Sequence, residues 1–117
     1  SGSVFNKEFI KLLESQNINI KKIKLYTVVP AKKLKPKTVK FFKEEKFKQL
    51  LLFSSFTAEV LIRLIKIEKL DSCVQNVKIF SMSNRIDQIV KKSRLFNKTF
   101  VSEKPNQASL VKSLLAN

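Results

Sequence analysis

The sequence predicts an α/β fold, a mostly parallel, doubly wound sheet with helices on both faces that lacks its first strand. Three observations predict it. From Lys48 to Asn117 a strand-then-helix beat repeats three times, at Gln49-Leu-Leu-Leu-Phe-Ser-Ser55, Val77-Lys-Ile-Phe-Ser-Met-Ser83 and Thr99-Phe-Val-Ser-Glu-Lys-Pro-Asn106. Strands that alternate with helices form a parallel sheet covered on both sides. The strand positions are short, continuous apolar runs, as buried parallel strands require. The chain also opens on a helical pattern, whereas a doubly wound domain normally opens on a central strand. That order predicts a fragment, or a sheet completed by another chain or domain.

The elements follow in turn. Phe5, Phe9, Leu12 and Leu13 recur at helical spacing, which predicts an amphipathic helix over Val4 to Ser15. Asn17-Ile-Asn19 is the turn after it. Ile18, Ile20, Ile23 and Leu25 lead into Tyr26-Thr-Val-Val29, a β-branched run that reads as a strand, and Pro30 ends it. Ala31 to Lys37 is a basic connector containing Pro36, and Thr38 to Lys46 a helix with Val39, Phe42 and Phe47 on one face. Leu50 to Phe53 is the next strand. Phe56 to Lys69 is a helix with the buried stripe Val60, Leu61, Leu64 and Ile65, capped by Ser55 or Thr57. Val77 to Phe80 is a strand, and Ser83 caps the helix that carries Ile86, Ile89 and Val90. Lys98 to Val101 is the last strand. Pro105 or Asn106 opens the last helix, whose stripe is Leu110, Val111, Leu114 and Leu115. Residues 1–30 thus form an N-terminal helix and linker strand, and residues 31–117 an α/β domain.

Composition narrows the chemistry. Lys and Arg total 24 against 9 Asp and Glu, a net charge of +15, which costs stability through self-repulsion. A polyanion relieves it: nucleic acid, an acidic membrane surface, or a small molecule with many carboxylates. Compositional drift toward Lys, Asn, Ile and Phe is the competing explanation. The only arginines are Arg63, Arg85 and Arg94, which disfavours base reading and bidentate phosphate contacts. One cysteine, Cys73, excludes an intrachain disulfide and a multi-cysteine metal site. With no histidine, a Ser-His triad and a His-based zinc site are excluded too. The longest apolar stretch, Leu50 to Ile67, is broken by Glu59 and Arg63, so no membrane span is predicted. The reading is cytoplasmic.

In open α/β sheets, ligands bind outside the carboxyl ends of the strands. The three junctions above are therefore the candidate site, with Ser54, Ser55, Ser83, Asn84, Arg85 and Asn106 on them. Ser55 and Ser83 are preferred N-cap residues on structural grounds alone, although a cap can also face a ligand. Arg85 falls inside a first helical turn, where a cation opposes the helix dipole unless an anion lies nearby. The lysines between Lys21 and Lys48 read as a solvated face, with Lys32, Lys33 and Lys35 on the connector.

The order of these segments resembles the C-terminal half of a uroporphyrinogen-III synthase. Tyr26-Thr-Val-Val-Pro30 is similar to the family's linker-strand run. Phe53-Ser54-Ser55 partly matches its Phe-Thr/Ser-Ser/Pro-Ser pattern. The family's Ile-Gly-Pro-x-Thr junction is met by Ile79-Phe-Ser-Met-Ser-Asn84, with Ser81 and Met82 in place of Gly and Pro. Ser102-Glu-Lys-Pro-Asn106 before Leu110-Val111 resembles the last junction. The likeness runs from Phe5 to Leu115 and rests on order and spacing.

The resemblance implies one half of a two-domain enzyme that closes hydroxymethylbilane, a linear tetrapyrrole bearing carboxylate arms, into uroporphyrinogen III. Water leaves the terminal hydroxymethyl group, and the last pyrrole ring is inverted through a spiro intermediate. No metal or organic cofactor is implied. Tyr26 would be the acid that assists departure of the hydroxyl. Ser54, Ser55, Ser83, Asn84, Arg85 and Asn106 would bind substrate. Partners would be the polycarboxylated tetrapyrrole and a companion domain or second copy, with no membrane. The competing reading is a non-enzymatic basic α/β module that binds nucleic acid or a partner chain. It rests on charge, and it lacks a Gly-rich or aromatic RNA-binding motif.

Overall fold

The computed structural model describes Lys11, Glu14, Ser15 and residues 33–117. Lys11, Glu14 and Ser15 are helical. The rest of the Val4 to Ser15 helix, the Tyr26 to Val29 strand, Tyr26 itself and Lys32 lie outside the described residues.

Helix α1 spans Pro36–Lys43. Its start falls two residues earlier than the sequence pattern placed it, with Pro36 inside the helix rather than in the connector. Proline suits the first helical position because that N–H needs no partner and its fixed φ is already helical. The helix buries Phe42, and Phe47 folds back onto it, its ring 4.7 Å from that of Phe42 and 5.4 Å from that of Phe41. Strand β1 (Gln49–Leu52) follows, then α2 (Ser55–Ile67), a 3-10 turn at Asp71–Cys73, β2 (Lys78–Ser81), α3 (Asn84–Ser93), β3 (Lys98–Val101) and α4 (Gln107–Ala116).

The strands lie parallel in the order β1-β2-β3. Their register aligns Leu51, Phe80 and Phe100 in one row and Leu52, Ser81 and Val101 in the next. Successive side chains on a strand point to opposite faces. Leu50, Leu52 and Ile79 therefore pack into the larger core, beneath Leu61, Leu64 and Ile65 of α2 and Ile86 and Val90 of α3. Leu64 and Ile65 are fully buried, which stabilises the fold by about 1.5–3 kcal/mol each. Phe80 points the other way, into a smaller core with Leu110, Val111 and Leu114 of α4. The Phe80 and Phe100 rings stack there at 5.0 Å. Helices thus cover both faces, as predicted, with α1, α2 and α3 on one side and α4 on the other.

Leu115 departs from the predicted stripe and is 52% exposed. It follows Leu114 by one residue, and a helix turns about 100° per residue, so both cannot face the sheet. Cys73 ends the 3-10 turn and packs, half-buried, against the larger core.

Candidate functional site

Each strand hands on to its helix through one local solution. The residue before the helix is extended, and its side chain accepts a hydrogen bond from the backbone N–H three residues on. At the first junction this is Ser54 (φ −145°, ψ 152°), whose Oγ accepts from Thr57 N at 3.1 Å and donates to Thr57 Oγ1 at 2.8 Å. The cap is thus Ser54, not Ser55 or Thr57 as the sequence suggested. Ser55 already lies inside the helix, and Thr57 supplies the N–H that a cap must satisfy. At the second junction Ser83 (φ −142°, ψ 162°) accepts from Ile86 N at 3.3 Å. At the third, Asn106 (φ −141°, ψ 164°) accepts from Ser109 N at 2.8 Å through Oδ1.

Hydrogen bonds hold the three junctions level. Met82 N donates to Leu52 O at 3.0 Å, joining the first to the second. Ser102 N donates to Ser81 O at 2.9 Å, joining the second to the third. The buried Ser102 hydroxyl lies 2.9 Å from Met82 O and 2.7 Å from Lys104 O. Ser109 Oγ accepts from Lys104 N at 2.9 Å, which closes the third loop on its own helix. Ser102 was not singled out from sequence as a site residue. A lone serine after a strand carries no signal of burial, and only the register shows what it clamps.

The carboxyl edge of the sheet is therefore one row of three helix N-termini. Each presents N–H groups that have no acceptor within the helix, and each carries the positive end of a helix dipole. Ser54, Ser55, Ser83, Asn84, Arg85 and Asn106 all stand on this edge. Ser54, Ser55 and Ser83 are half-buried, and Asn84, Arg85 and Asn106 are exposed. Arg85 is in the first turn of α3 and forms no ion pair among the described residues. The acid in that turn, Asp87, is buried and bonded to Lys91 at 2.9 Å. Lys104 adds a second exposed cation, and Glu103 beside it an exposed anion.

Two buried polar atoms sit under this edge without a partner, Ser81 Oγ at the end of β2 and Asp87 Oδ1 in α3. Among the described residues no group of His, Cys, Asp and Glu could hold a metal ion. None of the described helices is long and apolar enough to cross a membrane. What the arrangement offers is a fixed row of N–H and hydroxyl donors backed by a guanidinium, which is chemistry suited to binding carboxylates.

The family model described as uroporphyrinogen-III synthase HemD matches residues 1–112. No curated protein and no solved structure matches.

Proposed function

The chain belongs to the uroporphyrinogen-III synthase family, and from that premise we propose that it acts on hydroxymethylbilane, closing it to uroporphyrinogen III with inversion of the last pyrrole ring. The observation that carries this reading is the level row of three capped helix N-termini, Ser54, Ser83 and Asn106, on one edge of the sheet.

The linear bilane closes without help to the uninverted isomer. The chain's task is then to hold one conformation, and fixing reacting groups in place is itself worth several kcal/mol of barrier. Carboxylate arms spaced along a flexible tetrapyrrole need donors fixed relative to one another. The bonds from Met82 to Leu52 and from Ser102 to Ser81 provide that rigidity. Ser55, Ser83, Asn84 and Asn106 donate to carboxylates beside the backbone N–H groups, and Arg85 pairs with one of them. Ser54, whose own proton goes to Thr57 Oγ1, binds substrate by turning that proton toward a carboxylate. Tyr26 is the acid that protonates the departing hydroxyl.

The competing module that binds nucleic acid would need aromatic side chains free to stack on bases. Among the described phenylalanines Phe42, Phe47 and Phe80 are instead buried and only Phe56 is exposed, one ring rather than a stacking platform, which supports the tetrapyrrole reading. An isomer-resolved assay on freshly prepared hydroxymethylbilane tests it. The expected product is uroporphyrinogen III above the spontaneous background. Uroporphyrinogen I alone, formed at the uncatalysed rate, would overturn the catalytic reading.

A further inference from the structure

The three helices that begin on the carboxyl edge carry different side chains at one equivalent position. Two residues after each cap stand Phe56 in α2, Arg85 in α3 and Ala108 in α4. Side chains on a helix lean toward its N-terminus, so groups at this position overhang the rim. Phe56 is 39% exposed and is not among the buried residues of either core. The other large apolar side chains exposed among the described residues, Ile67 and Leu115, lie at the far ends of α2 and α4. The aromatic ring on the rim is therefore not spill-over from a core. It stands in the first turn of a helix, among hydrogen-bonding groups, with more than a third of its surface open.

Phe56 and Arg85 are neighbours by topology. β1 pairs with β2, and the helices that follow them share the larger core. Packed helices lie about 8–10 Å apart. Resting on the function proposed above, we propose that Phe56 is a ring-binding, specificity-determining residue: it takes the face of one pyrrole while Arg85, one helix along, takes a carboxylate arm. Carboxylate contacts alone leave the register of the chain open, because similar arms recur on every ring. A contact with a ring face adds a plane and a distance that an arm cannot satisfy. The pair therefore sets which stretch of the tetrapyrrole lies on the rim, and it favours ligands with rings over polycarboxylates without them.

The test is titration of the full chain with uroporphyrin, followed by quenching of the porphyrin's fluorescence. Phe56→Ala is expected to weaken binding about fivefold, and Phe56→Leu to weaken it similarly, since leucine keeps apolar bulk but not the ring. Phe56→Tyr is expected to bind as the wild type does. All three should melt close to the wild-type temperature, because Phe56 is not among the buried residues of either core. Wild-type affinity in Phe56→Ala, or in Phe56→Leu, would overturn the inference while leaving the proposed function standing. Failure of the wild-type chain itself to bind uroporphyrin would remove the proposed function, and this inference with it.

Discussion

The two edges of the sheet are built by opposite rules. At the carboxyl edge each helix that follows a described strand starts on a residue suited to the task, Ser54, Ser83 or Asn106, with its cap bond made, whereas α1 starts after Lys35, which makes no side-chain cap bond. At the amino edge α1, α2 and α3 end on residues unsuited to theirs. Glu45, Lys69 and Arg94 adopt left-handed conformations (φ 54°, 54° and 58°) that favour glycine or asparagine. The terminating hydrogen bonds still form: Lys46 N reaches Phe41 O at 3.0 Å, and Leu70 N reaches Ile65 O at 2.9 Å. The chain has one glycine, at position 2. A composition rich in Asn and Ser supplies N-caps freely, and with one glycine it leaves these C-caps to other residues. The three junctions proposed to face a ligand thus keep their capping side chains, while the opposite helix ends do without glycine.

Charge provides the sharpest test of that division. Arg85→Ala removes one cation from the carboxyl edge, and Arg94→Gly removes one from the amino edge. A hydrogen-bonded ion pair is worth about 1.5–3 kcal/mol, so Arg85→Ala should cost about 10- to 100-fold in uroporphyrin affinity at unchanged melting temperature. Arg94→Gly should leave affinity as it is. Equal losses in the two variants would mean that the net charge of +15, rather than the rim, holds the ligand.

The caps separate stability from binding on a single edge. Ser83→Ala leaves Ile86 N without its partner and should cost about 1 kcal/mol, or about 5 °C in thermal melting. Ser83→Asp keeps the cap, because aspartate serves as well as serine there. It also sets a negative charge at the rim, so it should melt with the wild type yet bind uroporphyrin more weakly than Ser83→Ala does. If the aspartate variant binds no more weakly than the alanine variant, carboxylates do not approach this helix. One row below, Ser81 Oγ is fully buried without a partner. A buried hydroxyl that makes no hydrogen bond has lost its hydration without compensation. Ser81→Ala should therefore leave stability unchanged or raise it by up to about 1 kcal/mol, read as the denaturation midpoint. A large loss would point to a partner that the hydroxyl acquires in solution.

Much of this was legible in the residues. The apolar runs at Leu50, Val77 and Lys98 to Val101 located the strands to within a residue, because short continuous apolar runs between turn residues have few other solutions. The stripe Val60, Leu61, Leu64 and Ile65 is buried as its spacing implied. The six described site residues share one edge because a parallel sheet puts all its carboxyl ends together. Other features were not legible. Two adjacent serines and a threonine offer the same cap chemistry, and only the backbone at Ser54 decides among them. The exposure of Phe56 was not legible either, since Ala58 and Val60 beside it are buried and no local pattern marks the odd one out. The clamp at Ser102 depends on register between strands, which one sequence does not encode locally.

The smallest expected effect tests the other half of the contrast. Lys69 is exposed, follows the last turn of α2 and holds a left-handed backbone while its N–H reaches Lys66 O at 3.1 Å. That conformation costs a residue with a Cβ about 1–2 kcal/mol. Glycine avoids the clash but loses more chain entropy on folding, at about 0.5–1 kcal/mol. The balance favours Lys69→Gly by about 0.5–1 kcal/mol, seen as a rise of about 4 °C in melting temperature. Uroporphyrin affinity should not change, because the substitution lies at the opposite end of the helix from Ser54 and Phe56. Lys69→Ala serves as the control: it removes the same charge but keeps the Cβ, so it should not reproduce the gain. If alanine stabilises as much as glycine, the strain is not in the backbone, and relief of charge repulsion in a chain of net charge +15 accounts for the effect instead.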